Sequence, residues 1–459
     1  MKKSLVLLLS LFLVTTTMLT ACGGGSSTEE PAKSGEPAKQ EEKADNSPFE
    51  VTLRHTQVGA DKKNRLAILQ DVVKKVQDQT PGLTIKLDAV DSEVNRKEKL
   101  RGEMAAGNPP DIFDVFGSPD AQLYAKEGRM LDLTPILAEL GLSDKFPNVL
   151  DPYTYEGKVY GLPIGASAEG FFYNKEYFAQ KGLKVPTTFP ELEELLAKIK
   201  ADGKTPIAAA SKEGWVPLMV TNQLWARYAG PDMVKRIAAG EAKWTDPNMV
   251  KAFAKHVDWE KKGYFKKGEL GFAYGDITGQ FTSGEAPLWF DGTWKSSVFK
   301  KGQSGEAMIG KVGFFNMPPV DGGTGEQTAL MRDSNNGYGF SAAVADDPRK
   351  LDAVKKFIKE LFNEDMQLRG LTEDGVLPSM TIPEDKLNST VNDELMKDII
   401  KVLNSTKGSF PAWDSQVDAD INTEFSAVQI QKLIGGQTTP EKMAEDLQKV
   451  TDEVLANKE

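Results

Sequence analysis

The chain has 459 residues, 40% of them hydrophobic and 27% charged, with a formal charge of −11. That length excludes a single core, because cores stop growing at roughly 250–300 residues, so two or three globular domains are expected. The acidic balance, with no cluster of Lys and Arg, excludes nucleic acid as a partner, whose phosphates demand such clusters.

In chain order, Lys2-Lys3 is a positive start, Leu5 to Val14 an apolar run, and Leu19-Thr-Ala-Cys22 follows. The apolar part is too short to span a bilayer and reads as a secretory signal. Leu-Thr-Ala-Cys resembles the lipobox of bacterial lipoproteins, which implies that Cys22 is diacylated, becomes the new N-terminus and anchors the protein to the outer face of the cell membrane. Cys22 is the only cysteine, so no internal disulfide can form. Residues 23–48 are rich in Gly, Ser, Glu, Pro, Ala and Lys, a composition that cannot bury enough apolar surface to fold and reads as a flexible tether.

Phe49–His55 alternates as a strand, Lys62–Gln79 carries a helical apolar face, and Leu83–Val90 reads as a second strand. A helix through Lys97–Ala106 leads to a third strand over Asp111–Phe116. This alternation predicts a parallel α/β sheet with its binding edge at His55–Gln57 and Phe116–Asp120. The extended run from Tyr160 to Lys175 predicts a crossing to a second lobe. Thr188, with Glu191 three residues on and Pro190 in the first turn, predicts a capped helix. Residues Pro217–Lys262 read as helical, with Trp225, Trp244 and Trp259 as core. Phe281–Lys295 predicts a buried strand over Ala286–Phe290 that ends in the turn Asp291-Gly-Thr-Trp294. The Pro318–Gly323 cluster predicts the return crossing, Gly337–Val344 a strand, and Asp393–Glu459 a mostly helical tail.

Several of these segments resemble one family. Tyr173-Asn-Lys-Glu-Tyr-Phe, Thr188-Phe-Pro-Glu-Leu, Phe281-Thr-Ser-Gly-Glu-Ala-Pro with Asp291-Gly-Thr-Trp294, and Gly375-Val-Leu-Pro378 are similar to the extracellular solute-binding proteins, family 1, the sugar-binding lipoproteins of bacterial ABC importers. Pro110-Asp-Ile-Phe and Gly128-Arg-Met-Leu-Asp-Leu-Thr134 extend the likeness over nearly everything from residue 49 onward. The resemblance implies two α/β lobes of a type II-like periplasmic-binding-protein fold, each a mainly parallel sheet flanked by helices, with a ligand cleft between them. The expected segments are 49–163 and 320–378 for the first lobe, and 164–319 and 379–459 for the second.

Mapped onto this chain, the resemblance places the sugar-stacking aromatics at Trp294 and Trp413. It also places cleft loops at His55, Thr56 and Gln57, and at Phe116 to Asp120, which include Ser118 and Asp120. Maltose-binding relatives carry a Glu six residues before the tyrosine that aligns with Tyr173. Here that position is Ser167 and the nearest acid is Glu169, a departure from maltose. Asp291, Trp215, Asp333 and Asn335 lie where sheet edges reach the expected cleft. Aromatic faces cover the C–H face of a sugar ring while carboxylates and amides bond its hydroxyls.

Gly337-x-Gly339-x-x-Ala342 precedes its apolar run, so it is no dinucleotide fingerprint. Asp418-x-Asp420-x-Asn422-x-Glu424 lacks the Gly of a calcium loop and reads as a helix start. The two histidines lie too far apart for a zinc motif. The expectation is a monomeric, membrane-tethered carbohydrate-binding protein without metal, cofactor or catalysis, which closes on its ligand and passes it to an ABC permease. The rivals are a secreted lipoprotein glycoside hydrolase, and the same fold binding a polyamine or peptide.

Overall fold

The computed structural model describes residues 47–146 and 149–457. The signal segment, Cys22 and the tether up to residue 46 lie outside the described residues. Thirteen strands form among the described residues: β1 Phe49–His55, β2 Leu83–Ala89, β3 Ile112–Phe116, β4 Thr154–Tyr155, β5 Lys158–Val159, β6 Gly161–Pro163, β7 Ser167–Asn174, β8 Ile207–Ala208, β9 Leu288–Gly292, β10 Val312–Phe315, β11 Leu330–Asp333, β12 Asn336–Phe340 and β13 Ser409–Phe410. They assemble into two main sheets, ordered β2-β1-β3-β12-β6 and β13-β11-β7-β9-β8, with β10 also on β7 and β4–β5 a separate hairpin.

Apolar periodicity drives each element onto its sheet. Val51 and Leu53 of β1 and the face Ile68, Leu69, Val72, Val73 and Val76 of helix Lys63–Asp78 are buried together in the first core. In the second core Trp225 and Trp244 meet edge to face, 6.3 Å apart, and Trp225 stacks on Phe425 at 5.9 Å. The three central indoles are therefore packing residues, as their spacing on helices predicts. The Thr188–Glu191 capping box is formed as expected.

In both sheets one strand runs against its neighbours. β7 pairs antiparallel with β9, β10 and β11, and β12 pairs antiparallel with β3 and β6. Both strands enter directly from the other sheet, so the chain arrives at the facing edge and must run back through the sheet.

The return crossing departs from the sequence expectation. Arg332 and Asp333 of β11 pair with Ala168 and Ser167 of β7, so Leu330–Asp333 belongs to the second sheet although it falls in the 320–378 segment expected in the first lobe. The Pro318–Gly323 cluster is a turn within the second lobe. The buried Arg227 guanidinium fastens it by donating to the carbonyls of Met317, at 2.7 Å, and Ala329, at 2.9 Å. The chain crosses at Ser334–Asn335 instead, beside the outward crossing. A third connection runs alongside, where the Ala166 N–H donates to Leu377 O at 2.7 Å. Gly165 is required there, since a Cβ would meet Val376 at 2.2 Å.

Candidate functional site

The two sheets face each other through their edges at the crossings, and the side chains there form two connected groups. The first is built on the end of β9. The sequence reading ends the strand at Phe290, but the ladder continues through Asp291 and Gly292 before the turn Thr293–Phe299. Asp291 is fully buried and accepts from Tyr274 OH, Trp289 Nε1 and the Gly292 N–H, each at 2.8 Å. Tyr274 OH in turn accepts from Trp294 Nε1 at 2.6 Å. A Cβ at Gly292 would lie 2.1 Å from the Trp294 ring, so glycine is what lets the indole fold back over the strand end.

Trp215 meets Tyr274 edge to face at 4.6 Å, and its buried Nε1 has no partner. The Lys295 ammonium lies 4.0 Å from the Tyr274 ring centroid and 3.2 Å from Asp61 Oδ2, joining this group to the turn after β1. Burial pushes the Asp291 carboxyl up to about 6, against the opposing pull of Lys295 and its three donors.

The second group spans both sheets. On the second, Ser167 donates to Asp333 Oδ1 at 3.0 Å, and the Asn335 N–H reaches the same oxygen at 3.3 Å. Glu169, two residues along β7, is 4% exposed and its Oε2 has no partner. Burial, with Asp333, Asp291 and Asp414 nearby, raises its carboxyl well above the usual range. Burial and Asp333 bring Asp414 up to about 7, partly offset by Arg96.

On the first sheet, Thr56 donates to Asp114 Oδ2 at 2.8 Å, and Arg96 donates to Asp114 Oδ1 and, at 2.7 Å, to Asn336 Oδ1. Arg96 sits in a π-helical turn, Asn95–Lys99, a local widening found frequently at functional sites. His55 is buried at the end of β1, and its Nδ1 accepts from the Gln57 N–H at 3.2 Å. Burial lowers its pKa, so the ring is kept neutral.

Residues 59–368 match the family described as bacterial extracellular solute-binding protein. The chain belongs to that family. It is 31% identical over 234 residues to an uncharacterised ABC transporter extracellular-binding protein of Pyrococcus horikoshii, a match over 50% of this chain and 54% of that one. It is 25% identical over 313 residues to the multiple sugar-binding protein of Streptococcus mutans, covering 65% and 67% of the two chains. The chain thus spans about half the length of the first of these curated relatives. A solved chitin oligosaccharide binding protein superposes with a TM-score of 0.82 at 40% identity, over 89% of this chain and all of that one. The fold is that of the two-lobe periplasmic solute-binding proteins.

In this solute-binding protein the structure brings together Trp294, Asp291, Trp215, Ser167, Glu169, Asp333 and Asn335, with His55 and Thr56 on the first-lobe side. Gln57 is partly exposed beside them. Other sequence-expected residues are placed elsewhere. Tyr173 lies four residues further along β7 than Glu169, about 13 Å at the strand's rise. It pairs with Leu288 and packs on Phe178 at 4.7 Å, away from the facing edges. Asp120 is held by Arg101 at 2.6 Å, and Ser118 serves as the N-cap of helix Pro119–Lys126. Trp413 is 3% exposed and packs edge to face on Phe425 at 5.0 Å, so it is principally a core residue.

Sequence reasoning missed Tyr274, Lys295, Asp61, Arg96 and Asp414. Asp414 had a signal in adjoining Trp413. Lys295 had the same signal in adjoining Trp294, whereas Tyr274, Asp61 and Arg96 had none, because their convergence is created by the packing of distant segments.

Proposed function

We propose that the protein captures a carbohydrate between its lobes and delivers it to an ABC importer. The observation that carries this reading is the aromatic group Trp294–Tyr274–Trp215 beside the carboxyls of Asp291, Glu169, Asp333 and Asp414. Such a surface offers a ring face and hydroxyl acceptors together. Two aromatic contacts at about 0.5–1.5 kcal/mol each beyond area, and three or four bonds to charged groups at about 1.5–3 kcal/mol each, support micromolar affinity after the costs of binding. The family and the 40% identity to a chitin oligosaccharide binding protein support a β-linked N-acetylglucosamine oligosaccharide as the first ligand to test.

A ligand that touches both lobes favours their closed arrangement, and the Lys295–Asp61 ion pair links the same two lobes. Export and attachment through a diacylated Cys22, with a monomeric body tethered at the outer face of the membrane, complete the reading. They rest on the N-terminal sequence. The test is a thermal-shift and calorimetric panel of mono- and oligosaccharides, amines and peptides against the protein. A ligand at a hundred times its dissociation constant stabilises by about 2.7 kcal/mol. Stabilisation by one saccharide class, with the ligand recovered intact, is expected. Binding of amines or peptides alone, or recovery of cleaved saccharide, overturns it.

A further inference from the structure

The cations nearest the carboxyls of the site are ion-paired elsewhere. Arg96 acts on both Asp333 and Asp414, but its ion pair, at 3.1 Å, is with Asp114. Lys295 pairs with Asp61 across the lobes. Glu169 lies two residues along β7 from Ser167, which pairs with Asp333 and donates to it at 3.0 Å, and opposite Gly292, next to Asp291 on β9. Three unpartnered polar side chains mark the same place. They are Glu169 through Oε2, the wholly buried Asn335 through both amide atoms, and Asp414 through Oδ1.

A neutral hydroxyl satisfies one of these oxygens but brings no charge to offset what ionising the carboxyls costs. An ammonium group relieves both, with three donors and a positive charge. The adjoining Trp294, Tyr274 and Trp215 suit a cation attached to a ring with an apolar face.

We infer that the preferred ligand is a saccharide bearing a free, protonated amino group, a glucosamine-type oligosaccharide, with the ammonium seated among Glu169, Asp333 and Asp414. This rests on the carbohydrate reading above and narrows it. Neutral N-acetylated sugars then bind through the same aromatic surface but leave the carboxyls uncompensated.

The test compares calorimetric affinities of the β-1,4-linked glucosamine dimer and its N,N′-diacetyl form, at a pH where the amine is protonated, for the wild type, Glu169→Gln and Asp414→Asn. The amine form is expected to bind about tenfold tighter or more, the factor of one charge-assisted bond at the lower end of its range. Each variant should shrink that preference at least severalfold with less change in affinity for the diacetyl form, and added salt should shrink it too. Equal or tighter binding of the diacetyl form by the wild type overturns the inference and leaves the carbohydrate reading standing. A preference for the amine form that neither variant diminishes overturns the seat. Binding of neither form, nor of longer oligomers of either, overturns both.

Discussion

The Tyr274 hydroxyl is the joint of the candidate site, and Tyr274→Phe isolates it. The phenol donates to Asp291 at 2.8 Å and accepts from Trp294 Nε1 at 2.6 Å. The substitution keeps the ring against Trp215 and Lys295 and removes only these two bonds. The bond to the indole is worth about 1 kcal/mol and the bond to the carboxylate about 1.5–3 kcal/mol, so the loss is about 2.5–4 kcal/mol. With about 2.1 cal/mol/K of unfolding entropy per residue over a folded body of roughly 410 residues, the melting temperature falls by ~3–5 °C. The freed indole no longer presents a fixed face, which removes an aromatic contact of about 0.5–1.5 kcal/mol and weakens saccharide binding roughly 2- to 12-fold. Because the hydroxyl holds the Asp291 carboxyl down, its loss also moves that carboxyl further above about 6. Differential scanning calorimetry, saccharide titration and NMR titration of Asp291 read the three effects. An unchanged melting temperature together with unchanged affinity would refute the assignment of the hydroxyl as the joint.

Three further outcomes are expected. Trp294→Ala should weaken saccharide binding at least tenfold with a small stability loss, whereas Trp413→Ala should cost about 3–5 kcal/mol of stability because that indole is core; denaturant melts and titrations separate the two. Asp414 has its folded value raised to about 7 from 3.8 by burial. Its ionisation is therefore penalised in the folded state above about 7, and stability is regained as pH falls from there towards 3.8. Asp414→Asn should flatten that part of the melting profile. His256, lowered to about 4 from 6.5 by burial, acts the other way; its contribution is full above 6.5 and is lost as pH falls towards 4, and it is common to both proteins. A wild-type-minus-variant difference that does not change with pH would refute the burial of Asp414. Finally, Asp61→Asn removes the ion pair to Lys295 across the lobes and should shift the protein towards a more open form, seen as a larger radius of gyration by small-angle scattering without ligand; no change would show that the pair does not favour closure.

The sequence by itself determined what depends on neighbours along the chain. The strand–helix–strand alternation of the first lobe, the Thr188–Glu191 cap, the buried strand before Asp291 and the core role of Trp225, Trp244 and Trp259 all follow from local periodicity and short-range hydrogen bonding. The family resemblance added the two-lobe fold and drew notice to Trp294. Tertiary structure decided whatever depends on register and on which segments meet. Leu330–Asp333 joins the second sheet because Arg227 fastens the preceding loop there and β7 offers a free ladder edge, a pairing across more than a hundred and fifty residues with no local signature. The same cause removed Tyr173 from the site and brought in Tyr274, Lys295, Asp61, Arg96 and Asp414. A strand's length sets how far Tyr173 lies from Glu169, whereas only packing can bring a loop tyrosine onto Asp291, or a lysine of one lobe onto an aspartate of the other.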